Sequence, residues 1–432
     1  MEIVETIWQK SKLLIKGMII GVLILLLMIP SHFVQELVQE RESRQIEAIN
    51  EVSSKWASSQ NIVGPVLVIP YEETVKTIKG EQAIVRHNAY FLPELLDINA
   101  QVNPEERHRG IYQVMLYSSK VELKGKFSKL PLEKMKLNAA DLLWNEAYVC
   151  TGISDAKGLN EEIQLSWRDS VVNMNPNMVN NSIMKEGFST PVLINENLAG
   201  GDISFSIKIN LNGSQQLFFT PVGKETSVLL EATWPDPRFA GTQLPAKTVI
   251  RKDGFTANWK SLSHSRSFPQ QWKDDSYNLS SASFGADLFI PVNDYQKTLR
   301  SVKYAILCIL LTFTAFFLIE TTNRISVHPF QYALIGFALI LFYTLLLSIS
   351  EYTEFNTAYG IAAIATVVLI TWFVKGLLGS MKLSALLSFV LVLLYSYVFT
   401  ILQLQDYALL LGSIGLFLTL AIVMNFSKKI KW

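Results

Sequence analysis

Glu320 closes a sixteen-residue run without charge, Tyr304–Ile319, and Arg324 and His328 follow it at four-residue steps. A carboxylate at the end of an apolar helix is costly to keep charged, and such groups mark proton, ion or head-group chemistry. The same spacing also suits an ordinary interfacial ion pair between Glu320 and Arg324. His328, just before Pro329, either joins that cluster or caps the next helix, and the second reading fits Pro at a helix start better. Glu351 and Glu354 stand at the far end of that helix and read as a solvated turn. Glu320, Arg324, His328 and Glu351 are thus the candidate functional residues.

Other chemistry is poorly represented. The chain has no Gly-x-Ser-x-Gly, His-Glu-x-x-His, phosphate-cradling glycine loop or Cys-x-x-Cys. Ser182-Ile183-Met184-Lys185 matches Ser-x-x-Lys, but the Ser-Asp-Asn and Lys-Thr-Gly elements of that enzyme class are missing, so the match is chance. His87 and His108 lack neighbours at metal-ligand spacing. Cys150 lies in the polar middle and Cys308 in an apolar run, so no disulfide joins them. The expectation is a non-enzyme with no catalytic residue, no metal and no cofactor.

The elements that must position the four candidates are membrane helices. Residues 329–350 carry no charge and reach ~33 Å as a helix, enough for a hydrocarbon core of about 30 Å. Asn356–Val374, Leu383–Gln405 and Tyr407–Ser427 are similar runs, and with Tyr304–Ile319 they make five spans. Composition agrees: 17% of the 432 residues are charged, against about 25% in soluble chains, and mean hydropathy is +0.26. A net charge of +1 gives no electrostatic ground for a nucleic-acid partner. Lys10, Lys12 and Lys16 precede the apolar stretch Gly17–Phe33. It resembles a signal peptide, but bulky residues follow where a peptidase needs small ones, so it reads as an uncleaved anchor.

The middle of the chain changes period. Residues 34–56 suit a helix with Glu40/Arg44 and Glu51/Lys55 pairs, and with Ile46, Ile49 and Val52 as a packing stripe. From about 60 to 292 apolar residues alternate, as in Ile203, Phe205, Ile207, Ile209 and Leu211. Asn212-Gly213 and Asp253-Gly254 read as hairpin turns. The expected fold is a membrane α-helical bundle, one N-terminal span plus five C-terminal spans, with a large β-rich extracytoplasmic domain. Its parts are a cytoplasmic N-terminus (1–16), an anchor (17–33), a helical stalk (34–58), a β-rich domain (59–296), a five-helix block (297–427) and a cytoplasmic C-terminus (428–432). Basic residues gather at both termini and at Arg324, Lys375 and Lys382, while Glu351, Glu354 and Asp406 occupy the alternate loops. That distribution puts both termini in the cytoplasm and the β region outside it.

Several stretches carry a family resemblance. They are Gly64-Pro65-Val66-Leu67-Val68-Ile69-Pro70-Tyr71, Tyr90-Phe91-Leu92-Pro93-Glu94, Glu106–Tyr112 and Phe219-Thr220-Pro221-Val222-Gly223. The membrane part adds Arg300–Tyr304, Phe316–Glu320, His328-Pro329-Phe330-Gln331-Tyr332 and Ser348-Ile349-Ser350-Glu351. In this order and over nearly the whole chain, the sequence resembles the CreD family of bacterial inner-membrane proteins. The resemblance implies a multi-pass inner-membrane protein with a periplasmic domain, tied to cell-envelope integrity and stress response. It brings no catalytic residue and no mechanism, and Tyr352 stands where the family often has His, so no histidine role transfers there.

Three functions follow as expectations. The first is a periplasmic domain that binds or senses an envelope protein or cell-wall partner and is coupled to the bundle in the lipid bilayer. The second is a transporter or lipid-handling protein using Glu320. The third is an envelope hydrolase, which needs acids or a Ser/His pair gathered by the β fold.

Overall fold

The computed structural model describes residues 2–76, 82–176, 186–273, 277–288, 294–323, 325–404, 410–415, 417, 421 and 424, with side chains omitted for 2–14 and 186. Ser182 and Lys185 fall outside these residues, as does Arg324. The chain forms two compact units: Glu47–Ile290, and Met1–Ile46 together with Pro291–Trp432.

The first unit holds two mixed sheets. One contains β1 (Gln60–Lys76), β2 (Gln82–Phe91), β5 (Tyr148–Ile153), β8 (Asn175–Pro176), β9 (Glu186–Pro191), β11 (Gln216–Thr220), β13 (Arg238–Gly241), β16 (Gln271–Lys273) and β17 (Phe284–Asp287). Its order is β13-β17-β11-β1-β5-β9-β8, with β2 on β1 and β16 on β2. The other runs β14-β15-β12-β3-β4-β10-β6-β7. Its strands are β3 (Leu95–Arg109), β4 (Tyr112–Phe127), β6 (Gln164–Trp167), β7 (Ser170–Asn173), β10 (Ile203–Ser214), β12 (Glu225–Ala232), β14 (Lys247–Arg251) and β15 (Gly254–Leu262). A single helical turn, α2 (Glu196–Ala199), precedes β10.

Period-two patterning sets the faces. In β3, Leu96, Ile98, Ala100 and Val102 are buried while Asp97, Asn99, Gln101 and Asn103 are exposed. Ile207 and Ile209 of β10 pair with Leu123 and Val121 of β4 in the same register. Side chains from both sheets share one apolar core that includes Val66, Leu123, Ile207, Phe219 and Trp259. The strand between Val66 and Ile69 is buried at every position, as a central strand covered on both faces requires.

The expected hairpin at Asn212-Gly213 does not exist. β10 runs straight through it, with Gly213 opposite Tyr117 of β4, and the chain turns only at Gln215 (φ 61°) before β11 enters the other sheet. Gly213 is needed for room, not for a turn: a Cβ there would come within 2.2 Å of the Tyr117 hydroxyl, which donates to the Gln216 carbonyl at 2.7 Å. The second hairpin is real, but its loop is Lys252-Asp253, with Arg251 opposite Gly254. Gly254 serves the close approach of the Ala232 carbonyl, 2.3 Å from where its Cβ would sit.

The second unit is helical: α1 (Glu2–Trp56), α3 (Asp294–Lys303), α4 (Ala305–Thr322), α5 (Pro329–Ser350), α6 (Phe355–Leu378) and α7 (Met381–Gln403), the end of α1 belonging to the first unit. Among the described residues five helices are long and apolar enough to cross a membrane, one near the N-terminus and four after the β unit. The count therefore falls one short of the expected five C-terminal spans; Tyr407–Ser427 lies largely outside the described residues. Outward positions remain apolar, as in Leu25, Phe337, Leu341, Val368 and Phe389, which is the surface that lipid requires. Ala358, Ala362 and Thr366 are buried on one face of α6, the close-packing stripe their four-residue spacing implies. Of the stripe expected on the stalk, Ile46 is exposed and Ile49 and Val52 are half-buried; Val34, Val38, Gln45, Ser53 and Ala57 are the buried positions there.

Cys150 gives a probe of the β unit. Its thiol is buried and its pKa is pushed up to about 12 by that burial, so in the native protein it should resist iodoacetamide at pH 8. Gly213→Ala overpacks the Tyr117 contact and should destabilise the unit by about 1–3 kcal/mol. Where opening and closing are fast relative to alkylation, labelling of the Cys150 peptide should then accelerate roughly 5- to 150-fold by mass spectrometry. Unchanged labelling would remove the packing role of Gly213.

Candidate functional site

The turn between α4 and α5 builds the site. α4 continues past Glu320 to Thr322, where the Asn323 side chain donates to the Ile319 carbonyl at 2.7 Å. The chain then folds back, with Ile325 N–H donating to the Glu320 carbonyl at 3.1 Å. His328 starts α5 with a capping box: its Nδ1 accepts from Phe330 N–H at 3.2 Å, and Gln331 Oε1 accepts from His328 N–H at 2.9 Å. Pro329 at the first helical position needs no donor. His328 is therefore a cap, exposed and outside the Glu320 cluster.

That geometry aims three donors at one carboxylate. Glu320 Oε1 accepts from Val327 N–H at 2.8 Å and from the Lys16 ammonium, and Oε2 accepts from the Tyr332 hydroxyl at 2.7 Å. Lys16 also donates to the Val327 carbonyl at 2.8 Å, so one peptide residue holds both members of the ion pair. Glu320 is 4% exposed and Tyr332 is fully buried, with the Phe313 and Phe316 rings 5.4 and 4.9 Å from the Tyr332 ring. Charge-assisted bonds of this kind offset the cost of holding a carboxylate away from water.

The opposite end of the same helices carries a second pair. Glu351 caps α5, its side chain 10% exposed, with Arg41 Nε of α1 at 3.7 Å and the Tyr295 hydroxyl of α3 donating at 3.4 Å. The solvated-turn reading of Glu351 is thus corrected: α1 and α3 cover it. Glu354, three residues on, is exposed as expected.

Arg324 lies outside the described residues. Among the described ones, the partners that sequence reasoning missed are Lys16 and Tyr332 at one end and Arg41 and Tyr295 at the other. Lys16 offered a signal, being the last charge before the apolar stretch, but that position also serves topology and names no partner. Spacing along the chain gives no hint of a bond spanning 304 residues.

The β unit has no comparable buried charge cluster among its described residues. Its second sheet carries two adjoining depressions of about 370 and 380 Å³ on the outward face, which share Gln101 and Lys120. Neither is lined by Ser, Cys or His. His87 stacks on Tyr71 at 5.3 Å and His108 lies 3.9 Å from Glu106.

Removing one member of the Glu320 pair leaves the other buried and unmatched. Lys16→Met should therefore destabilise the purified protein by ~3 kcal/mol in thermal unfolding, and adding Glu320→Gln should restore part of that loss. A Lys16→Met variant as stable as wild type would show that the pair holds nothing.

The amino-acid sequence has known relatives. The chain is 29% identical over 415 residues, 95% of its length and 91% of the other's, to the inner membrane protein CreD of Escherichia coli strain K12. The family model described as inner membrane protein CreD matches residues 12–432. With nearly every residue covered, and with membrane helices before and after a β-rich unit, the chain belongs to the CreD family of multi-pass inner-membrane proteins.

Proposed function

We propose that this protein binds a component of the cell envelope through its β-rich unit and passes the bound state to the membrane helices, contributing to envelope integrity and the response to envelope stress. On this reading it is a binding protein and not an enzyme, both termini are cytoplasmic and the β unit faces the periplasm. The observation that carries it is α1. This one helix of 55 residues holds Lys16 and Arg41 in ion pairs with Glu320 and Glu351. Its last turns are gripped by the β unit: Glu51 pairs with Arg109 at 3.2 Å, and Arg107 lies 5.3 Å over the Trp56 ring. Lys55 and Arg109 hold the Glu51 carboxyl below its ordinary range. The depressions at Gln101 and Lys120, lined by Glu122, Glu161, Glu162 and Glu231 and by no Ser, Cys or His, offer a charged and polar surface that suits recognition of a polar envelope component.

Complementation tests coupling. The full chain should restore the envelope phenotype of a deletion strain, and the β unit fused to an unrelated single-span anchor should not. Full rescue by the fusion would make the bundle unnecessary. Topology is tested in sealed spheroplasts, where added protease should cut within 47–290 and spare tags at both termini; clipped tags with an intact β unit would reverse the orientation.

A second reading, transport or lipid handling by the bundle, is favoured by Glu320 itself, a carboxylate buried beside an ammonium at the end of an apolar helix.

A further inference from the structure

Five hydroxyls inside the helical unit are shielded from solvent and have no hydrogen-bond partner among the described residues, and a sixth, that of Tyr343, is met by the Cys308 thiol. They belong to Ser31 of α1, Thr298 and Ser301 of α3, Thr312 of α4, Tyr343 of α5 and Tyr395 of α7, and every one of these residues is at most 3% exposed. A helical Ser or Thr readily returns its hydroxyl to the carbonyl one turn back. Thr314, Thr371, Ser384 and Thr400 do so at 2.6–2.9 Å. Ser31, Thr298, Ser301 and Thr312 forgo that bond in an environment where an unmatched donor is expensive.

Those on α3, α4, α5 and α7 follow an order. Tyr295, which donates to Glu351, stands one turn before Thr298 on α3, and Ser301 stands one turn beyond it. Cys308 and Thr312 are one turn apart on the buried face of α4, and Glu320 lies two turns further. The Phe342 ring contacts those of Tyr343 and Tyr395 at 4.9 and 4.6 Å, and the Tyr359 hydroxyl donates to the Tyr395 carbonyl at 2.8 Å. The Cys308 thiol lies beside the Tyr343 hydroxyl. Buried polar groups therefore recur on α3, α4, α5 and α7 between the helix ends that carry Glu351 and Glu320. The last interval is closed by Phe313 and Phe316, packed on Tyr332.

We propose that these groups form a proton path between Glu351 and Glu320, completed by water molecules at the buried hydroxyls and by the Cys308–Tyr343 pair, and gated by Phe316. The proposal deepens the transport reading of Glu320 and is independent of what the β unit binds. Each hydroxyl takes a proton from the water before it and releases its own to the water after it, so every oxygen ends as it began. Glu320 receives the proton as a neutral acid and returns it to water beside Lys16. Lys16 stays an ammonium, held by the Val327 carbonyl. Nothing is oxidised or reduced, and one positive charge crosses for each proton passed.

The test uses the full chain in liposomes loaded with a pH dye, with a potassium gradient and valinomycin to drive proton entry. Flux above that of empty liposomes is expected from the wild type or, where Phe316 keeps the path shut, from Phe316→Ala. In whichever background conducts, Tyr343→Phe with Tyr395→Phe, and separately Glu320→Gln, should lower the flux at least tenfold. Thr312→Val replaces the tyrosine pair should that variant lose its monodisperse size-exclusion peak. Flux at the empty-liposome level from both wild type and Phe316→Ala overturns the path, and so does undiminished flux in the hydroxyl variants. The complementation result for the β unit is unaffected by either outcome.

Discussion

The constraint on which the helical unit depends is a carboxylate that must remain satisfied where water is scarce. Glu320 cannot be left alone in such surroundings, so the chain brings it a peptide N–H, a phenol and an ammonium. Each donor fixes an element. Val327 can point at Glu320 only because the capping box at His328 and Gln331 starts α5 where it does. Tyr332 reaches it from the first turn of α5, and Lys16 ties α1 to both. A polar requirement thus sets positions that apolar packing alone, being non-directional, leaves loose.

The same logic recurs at the other end, which makes register the common result. Lys16 and Arg41 are twenty-five residues apart on α1, ~37 Å of helix, slightly more than a hydrocarbon core of about 30 Å. Pinning both positions fixes how far α1 is pushed along its axis against α4 and α5. Gly336 shows how close the fit is between them: a Cβ there would come within 2.2 Å of a Leu27 methyl. An apolar helix sliding by one turn would break both ion pairs and this contact together.

How much of this the sequence discloses depends on the range of the interaction. Period-two burial in β3 and β10, charge-free runs in α4 to α7, and the i,i+4 pair Glu40–Arg44, observed at 2.7 Å, are all local and were all readable. The prominence of Glu320 was readable too, because a charge among apolar residues stands out on its own. Its partners were not, since Lys16 and Tyr332 approach through folding and neither position names the residue it meets. Asn212-Gly213 failed for the opposite reason. Its local signal for a turn is genuine, but a tertiary demand, space for Tyr117, explains the glycine. The β order, with β1 parallel to β11 and β3 parallel to β12, follows from crossings between sheets that no spacing announces.

The 304 residues between Lys16 and Glu320 also bear on biogenesis. At ribosomal speeds of about 5–20 residues per second, Glu320 emerges some 15–60 s after Lys16. During that interval the nascent chain has a lone anchor whose ammonium must be served by lipid phosphates or water, while the β-rich unit folds on its own schedule. Only when the hairpin of α4 and α5 inserts can the bond close. Assembly of the membrane portion is therefore post-dated to late synthesis, and a ribosome stalled before that hairpin would leave a single-pass intermediate for quality-control proteases to find.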